Sequence, residues 1–467
     1  MSSVLFNMAS NFLLARAMGA SGYGQFSLIL TSCSWILVLR TAVGSDLIRK
    51  SAQDSQFSRL VFVPALLGIS MTSSLIGLAA TGINLALIRS TDVLLPSILL
   101  ALGLIAATFS GVPVSLFTGR DRMQWQFLDS TVSVFVLVGL VIGVRGGFSL
   151  LEVTAIYLVS YVSICLALVA RAAWLIRPRL WAGDRLLLKS LTSDVFGLLS
   201  VNIIQSLHLS LELYFLQFLQ SSAAVGLYNA AFKLVIVFRL APSTIMLSLI
   251  PEVARRASDN DFEFIRRIWV STTRLFIFLG GALAISILPL ANFIIGVSYS
   301  TGFERSSKVL ILLTFAIFPL FLEWVTQSLL YAAGHYGDLR MGYGAGLLAQ
   351  VVLDWLLIPR FGAEGAAGAF GITECVILAC LALLGLRRFG LPPLGAITRI
   401  ALPTVVAIAA VLIGLRLNVP SVFLVGGIGV SYLALSFLLG GISRQDIEWG
   451  RGLWVGFLQR RGANVGK

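Results

Sequence analysis

The sequence predicts an all-α polytopic membrane protein of about 14 transmembrane helices. Two six-helix lobes in parallel pseudo-repeat are followed by two further C-terminal helices. Three observations lead there. Of 467 residues, 58% are hydrophobic and only 12% charged, with a mean hydropathy of +0.94; a soluble domain carries about 25% charged residues. Apolar runs long enough to cross a hydrocarbon core of about 30 Å recur from end to end. Finally, a short motif at one helix junction returns at the corresponding junction half a chain later.

The first span, about 1–14, is short and stops at Ala15-Arg16. It lacks a charged leader and a cleavage site, which disfavours a signal peptide; it is a stub, or the true start lies upstream. Span 2 (about 23–43) ends before Arg49-Lys50, and span 3 (60–88) lies between Arg59 and Arg89. Span 4 (93–117) stops before Arg120, span 5 (127–144) at Arg145, and span 6 (152–175) before Arg177-Pro178-Arg179. Spans 7 (195–218) and 8 (226–250) precede the Pro251-Glu252 exit. Spans 9 (270–295), 10 (306–331), 11 (341–358) and 12 (364–386) reach Arg387-Arg388, and spans 13 (397–416) and 14 (420–441) close the series. The longest hydrophilic breaks, near 176–193 and 251–268, leave no room for a soluble domain. The organisation is therefore 1–190 for the first lobe, 191–390 for the second, and 391–467 for the last two spans and a cytoplasmic tail.

The net charge of +13 would suggest nucleic acid on a soluble chain. Here the charges sit in short loops, so no nucleic-acid partner is expected and topology explains them. With both termini cytoplasmic, 23 of the 34 Lys and Arg residues fall in inside breaks and 7 in outside breaks, as the positive-inside rule requires. Cys33, Cys165, Cys375 and Cys380 lie in apolar runs, and His208 and His335 are the sole histidines. No disulfide framework, metal site or other cofactor is indicated.

The repeat is visible at two junctions. Ala20-Ser21-Gly22-Tyr23-Gly24-Gln25-Phe26-Ser27 opens span 2, and Ser222-Ala223-Ala224-Val225-Gly226-Leu227-Tyr228-Asn229 opens span 8. Gly24 matches Gly226 and Phe26 matches Tyr228, at an offset of 202. Ser115–Gly119 and Leu330–Gly334 give a weaker echo. Six spans per repeat is an even number, so both copies start on one side of the membrane. That is a parallel repeat about an axis along the membrane normal, an arrangement that holds substrate between lobes and alternates access by rocking.

The stretch LLIPRFGAEGAAGAF (356–370) places an apolar helix end, a Pro/Gly break and a small-residue helix start together. It resembles the LIPxFGxxGAA signature between the eleventh and twelfth helices of polysaccharide flippases, within the multidrug/oligosaccharidyl-lipid/polysaccharide exporter superfamily. LLARAMGASGYGQFSLI (13–29), VGLYNAAFKLV (225–235) and Pro251-Glu252 match that family in the expected order. The family has a complete first helix, and this chain shows about half of one. The resemblance implies a bacterial or archaeal inner-membrane exporter of O-antigen, capsule or exopolysaccharide units. Its cargo would be a polyprenyl-diphosphate-linked oligosaccharide, with the bilayer and polysaccharide polymerase machinery as its other partners.

No nucleophile–base pair, phosphate loop or paired-acid constellation is present, so no enzyme is expected. Ionisable residues inside spans remain, and they usually face a cavity or each other. His208 and Glu212 share a face of span 7. Lys233 on span 8 lies at the depth of Glu212, either as a structural ion pair or as a cation poised for an anionic substrate. An acidic residue is common at the position of Glu212 in the family. Arg239 is deeper and either lines the cavity or pairs with Glu323 of span 10. Arg40 lies near the inner end of span 2, where snorkelling competes with substrate binding; Arg274 is expected to snorkel. Capping or packing accounts for Asp354 and Glu374 as well as function does. Buried cations can replace water around a diphosphate, while Asn7, Asn11, Asn202, Gln205, Gln217, Trp324 and Gln327 could line a wet sugar cavity. A cation-coupled multidrug exporter would need acidic residues mid-membrane in the first lobe, where only Asp129 and Glu152 occur, both near span ends. A peptidoglycan lipid-precursor flippase would differ in cargo alone. A membrane glycosyltransferase would need a large loop.

Overall fold

In the computed structural model, residues 2–53, 57–118, 124–143, 149–176, 185–299, 301–390 and 394–438 are described. The basic residues Arg120, Arg122, Arg145, Arg177 and Arg179, and the tail beyond Leu438, lie outside them. The described residues are almost all helical, with no strand among them. Ten helices among them are long and apolar enough to cross a membrane, and the chain is a multi-pass membrane protein.

The helices are α1 (Ser2–Ser34), α2 (Ile36–Gln53), α3 (Phe57–Ile88), α4 (Leu94–Thr118), α5 (Gln124–Ser130), α6 (Val132–Gly143), α7 (Leu150–Ile176) and α8 (Arg185–Leu219). They continue with α9 (Ser222–Ile236), α10 (Leu240–Ser258), α11 (Phe262–Ser298), α12 (Ser306–Ala332), α13 (Tyr336–Phe389) and α14 (Leu394–Arg416). A short α15 (Ser421–Phe423) runs through a π-helical turn into α16 (Gly429–Leu438).

Two of the long helices each carry two of the expected spans, one on either side of a glycine. In α1 the break is Gly19, at φ 65° and ψ 179°. Tyr23 Oη then donates to Asn11 Oδ1 at 3.1 Å; on a straight helix twelve residues span about 18 Å, so the chain folds back at Gly19. In α13 the break is Gly362, at φ 58° and ψ −130°. A Cβ on Gly365 would collide with the Leu357 carbonyl eight residues earlier. Left-handed backbone is open to glycine without a Cβ clash, which explains why both turns are so short. The first helix thus extends to Gly19, past the Ala15-Arg16 stop read from sequence.

The chain divides into two compact units. One holds 1–237, 295–309 and 343–373, the other 238–294, 310–342 and 374–467. In the first, Phe117 stacks on Trp125 at 4.2 Å within a buried cluster that includes Leu47, Phe62, Val112 and Leu168, joining α2, α3, α4, α5 and α7. In the second, α14 and α16 pack on α11 through Ala284, Leu288, Ala407, Val411 and Tyr432. The Tyr432 hydroxyl donates to the Phe278 carbonyl at 3.1 Å and lies 3.0 Å from Thr404 Oγ1, so its polar atom is not orphaned among apolar side chains.

Candidate functional site

The structure gathers His208 and Glu212 around a residue that the sequence reading did not single out. His208 and Glu212 are one turn apart on α8, and both face Gln350 of α13. The His208 Nδ1–H donates to Gln350 Oε1 at 2.5 Å, and Gln350 Nε2 donates to the His208 carbonyl at 2.9 Å and to Glu212 Oε1. Gln350 and Glu212 are fully buried and His208 nearly so. An amide has one acceptor and two donor hydrogens, so this glutamine satisfies imidazole, backbone and carboxylate together and fixes the amide orientation. Phe370 stacks on the imidazole at 5.7 Å and receives the edge of Phe232 from α9 at 5.3 Å. One turn beyond Gln350, Asp354 is fully buried and neither carboxylate oxygen has a hydrogen-bond partner among the described residues.

Lys233 does not join this cluster. Glu212 is engaged by Gln350, and Lys233 forms no ion pair or hydrogen bond with the described residues. The expected Glu212–Lys233 ion pair is therefore not formed: equal depth on neighbouring helices does not bring two side chains onto facing sides.

Arg239 ends a 3-10 turn, Val237–Arg239, that separates α9 from α10. Its guanidinium sits 4.6 Å over the Trp324 ring of α12. It makes no ion pair with Glu323, which is nearly fully buried beside Trp324 in sequence and points elsewhere on the helix. Adjacent positions on a helix are about 100° apart, so Trp324 facing Arg239 turns Glu323 away.

Arg40 does not reach out to headgroups. It pairs with Asp129 of α5 and donates to the Ala107 carbonyl of α4 at 2.7 Å, while Ser110 Oγ donates to Asp129 Oδ1 at 2.8 Å. This is a three-helix staple, and it commits both charges. Among the other polar candidates, Asn11 is engaged by Tyr23, and Gln217 accepts from Ser222 at 2.9 Å. No group of three His, Cys, Asp or Glu side chains among the described residues has metal-binding geometry.

The family model for "Polysaccharide biosynthesis protein" matches residues 1–256. The chain belongs to this polysaccharide biosynthesis family. No curated protein matches it. Among solved structures, the fold is similar to the lipid II flippase MurJ in an inward closed conformation, at a TM-score of 0.72 and 13% identity, covering 93% of this chain and 96% of that one. It is also similar to an inward-facing multidrug resistance MATE family transporter of the MOP superfamily, at 0.68 and 13%, covering 83% and 94%. A MOP superfamily transporter from Pyrococcus furiosus scores 0.62 at 15% identity, covering 82% and 91%. This member of the polysaccharide biosynthesis family thus has the MurJ/MATE fold. Within that fold, Lys233 of one unit and Arg239 of the other each lack a counter-charge among the described residues.

Proposed function

We propose that the protein is a flippase that moves a polyprenyl-diphosphate-linked oligosaccharide repeat unit across the inner membrane for O-antigen, capsule or exopolysaccharide assembly. Arg239 carries the reading. A guanidinium inside a membrane-spanning helix is costly, and such charges normally find a partner. Arg239 lies over an indole and makes no hydrogen bond or ion pair with the described residues, which leaves its N–H donors uncommitted. That edge matches a diphosphate, which accepts forked hydrogen bonds. Trp324 beside it offers a flat apolar surface of the kind sugars stack on. Membership of the polysaccharide biosynthesis family supports the cargo class, and the flippase hands its cargo to polymerase machinery on the outer face.

A cation-coupled multidrug exporter is disfavoured by Asp129. It is one of the two acidic residues in the first six spans, and it is bound to Arg40 and Ser110. Deleting the gene in its host tests the proposal, with surface polysaccharide and the sidedness of the lipid-linked oligosaccharide pool assayed together. The expected result is lost polymer and repeat units held on the cytoplasmic leaflet, restored by the wild-type gene but not by Arg239→Ala at equal membrane level. Accumulated peptidoglycan precursor would redirect the cargo. Unchanged polymer with raised sensitivity to cationic drugs would overturn the proposal.

A further inference from the structure

One face of α12 stays open beside Arg239. From Glu323 to Tyr331 every side chain is buried except Trp324, Gln327 and Tyr331, which are half-buried. Steps of three and four residues put these three on one helical face. The exposed Phe315 lies nine positions before Trp324. At about 100° per residue that is half a circle away, so the phenylalanine meets acyl chains on the opposite side of the helix. The amide therefore stands on the face turned from lipid.

Gln327 Oε1 is buried and has no hydrogen-bond partner among the described residues. The hydroxyls on either side of it are turned back onto their own helix. Thr326 donates to the Leu322 carbonyl at 3.2 Å and Ser328 to the Trp324 carbonyl at 2.8 Å. This glutamine is thus not spent on joining helices, the ordinary use of an amide in a membrane span. A buried acceptor left unsatisfied costs stability, and one standing beside a binding residue points to a donor on the ligand. Arg239, Trp324 and Gln327 belong to the same compact unit, and Gln327 lies about 4.5 Å along the axis from Trp324. With a diphosphate on Arg239, the group that reaches Gln327 is the first sugar. Its nearest substituent is the one at C2, next to the carbon that bears the diphosphate.

We propose that Gln327 reads the first sugar of the cargo, its Oε1 accepting a hydrogen bond from a donor at C2, either an acetamido N–H or a hydroxyl. The proposal rests on the flippase reading and names the specificity of that site. A site built to hydrogen-bond a donor rejects the analogue that lacks it, because its own buried group is then left unpaired.

The probes are polyprenyl diphosphates bearing N-acetylglucosamine, glucose or 2-deoxyglucose. Binding to the purified protein in detergent and translocation in proteoliposomes are measured separately. The wild type is expected to bind one of the first two about tenfold more tightly than the 2-deoxyglucose carrier, and which one identifies the donor. Gln327→Met keeps the length of the side chain without the acceptor, and it is expected to bring that ratio within about twofold of unity. A glutamine with a purely structural role would weaken all three carriers alike and leave the ratio as it was. That result, or a wild type indifferent to the C2 substituent, overturns the proposal. A ratio lost in Gln327→Met, with no carrier translocated by either protein, keeps the role of Gln327 and removes the flippase reading. Translocation with equal discrimination in both proteins keeps the flippase reading and removes the role of Gln327. Binding of none of the three overturns both.

Discussion

Gln350→Leu should be among the most damaging neutral substitutions in this chain. The change keeps approximate volume while replacing the amide by methyl groups, so it removes the hydrogen bonds with little loss of packing. Three are lost: with the His208 imidazole, the His208 carbonyl and the Glu212 carboxylate. Hydrogen bonds between membrane helices average about 0.6 kcal/mol and reach roughly 1.7. Two near the average and one to a carboxylate near the maximum sum to about 3 kcal/mol, before any cost of leaving Glu212 buried without this donor. The assay is equilibrium unfolding in mixed micelles with increasing SDS, in a double-mutant cycle with Glu212→Gln. The cycle should show a coupling of about 1 kcal/mol or more, since the residues share one network. A cost of Gln350→Leu below about 0.5 kcal/mol, the scale of an inconsequential surface change, would refute the view that this amide holds α8 to α13.

Three further outcomes are expected. Arg40→Gln leaves the Asp129 carboxylate facing α4 without its cation and destabilises the protein by about 2 kcal/mol; adding Asp129→Asn recovers most of that in the same SDS titration. Trp324→Ala removes the surface under Arg239, a cation–π contact of about 1 kcal/mol. It should raise the half-saturating concentration of lipid-linked oligosaccharide in proteoliposomes about fivefold, with Trp324→Phe intermediate; an unchanged value would remove Trp324 from the site. Burial, with Arg388 nearby, holds the His335 imidazole below its ordinary value, against the smaller opposing pull of Asp338. Unfolded, it gains a proton near pH 6.5. Its contribution is therefore complete above that pH and lost as pH falls through the lower folded value. The melting midpoint in detergent should drop more between pH 7.5 and 5.5 for the wild type than for His335→Gln.

The all-helical class and most helix breaks were legible because they depend on local chemistry, while the end of the first helix at Gly19 was not. Apolar length marks a span, and the Pro359–Gly362 and Gly19–Gly24 stretches mark turns that few other residues could make. The repeat was legible for the same reason, since Gly24 and Gly226 stand in similar local wording. Pairings were not. Spacing identifies neighbours on one helix, so it placed His208 and Glu212 together, but it carries no information about which face meets which partner. Arg40 finds Asp129 at a separation of 89 residues, and Glu212 finds Gln350 at 138. Gln350 carries no charge, and a lone amide in an apolar span reads as an ordinary interhelical hydrogen bond. Its spacing of four from Asp354 inside an otherwise apolar run was the available signal.

The position of Arg239 has an electrical consequence. Its positive charge is uncompensated within the described residues and sits on the 3-10 turn at which span 8 is interrupted. If span 8 flexes at that turn, the charge moves within the transmembrane field. Crossing the whole field costs about 2.3 kcal/mol per 100 mV for one charge, so a displacement through a quarter of it couples about 0.6 kcal/mol. An inside-negative potential then draws the empty carrier inward-facing. On the proposed function, a bound diphosphate, carrying at least two negative charges, would reverse the sign of what moves with Arg239, and the same potential would drive the loaded carrier outward. The membrane would rectify the cycle with no co-transported ion, and Arg239→Gln would abolish the voltage dependence of the empty return step.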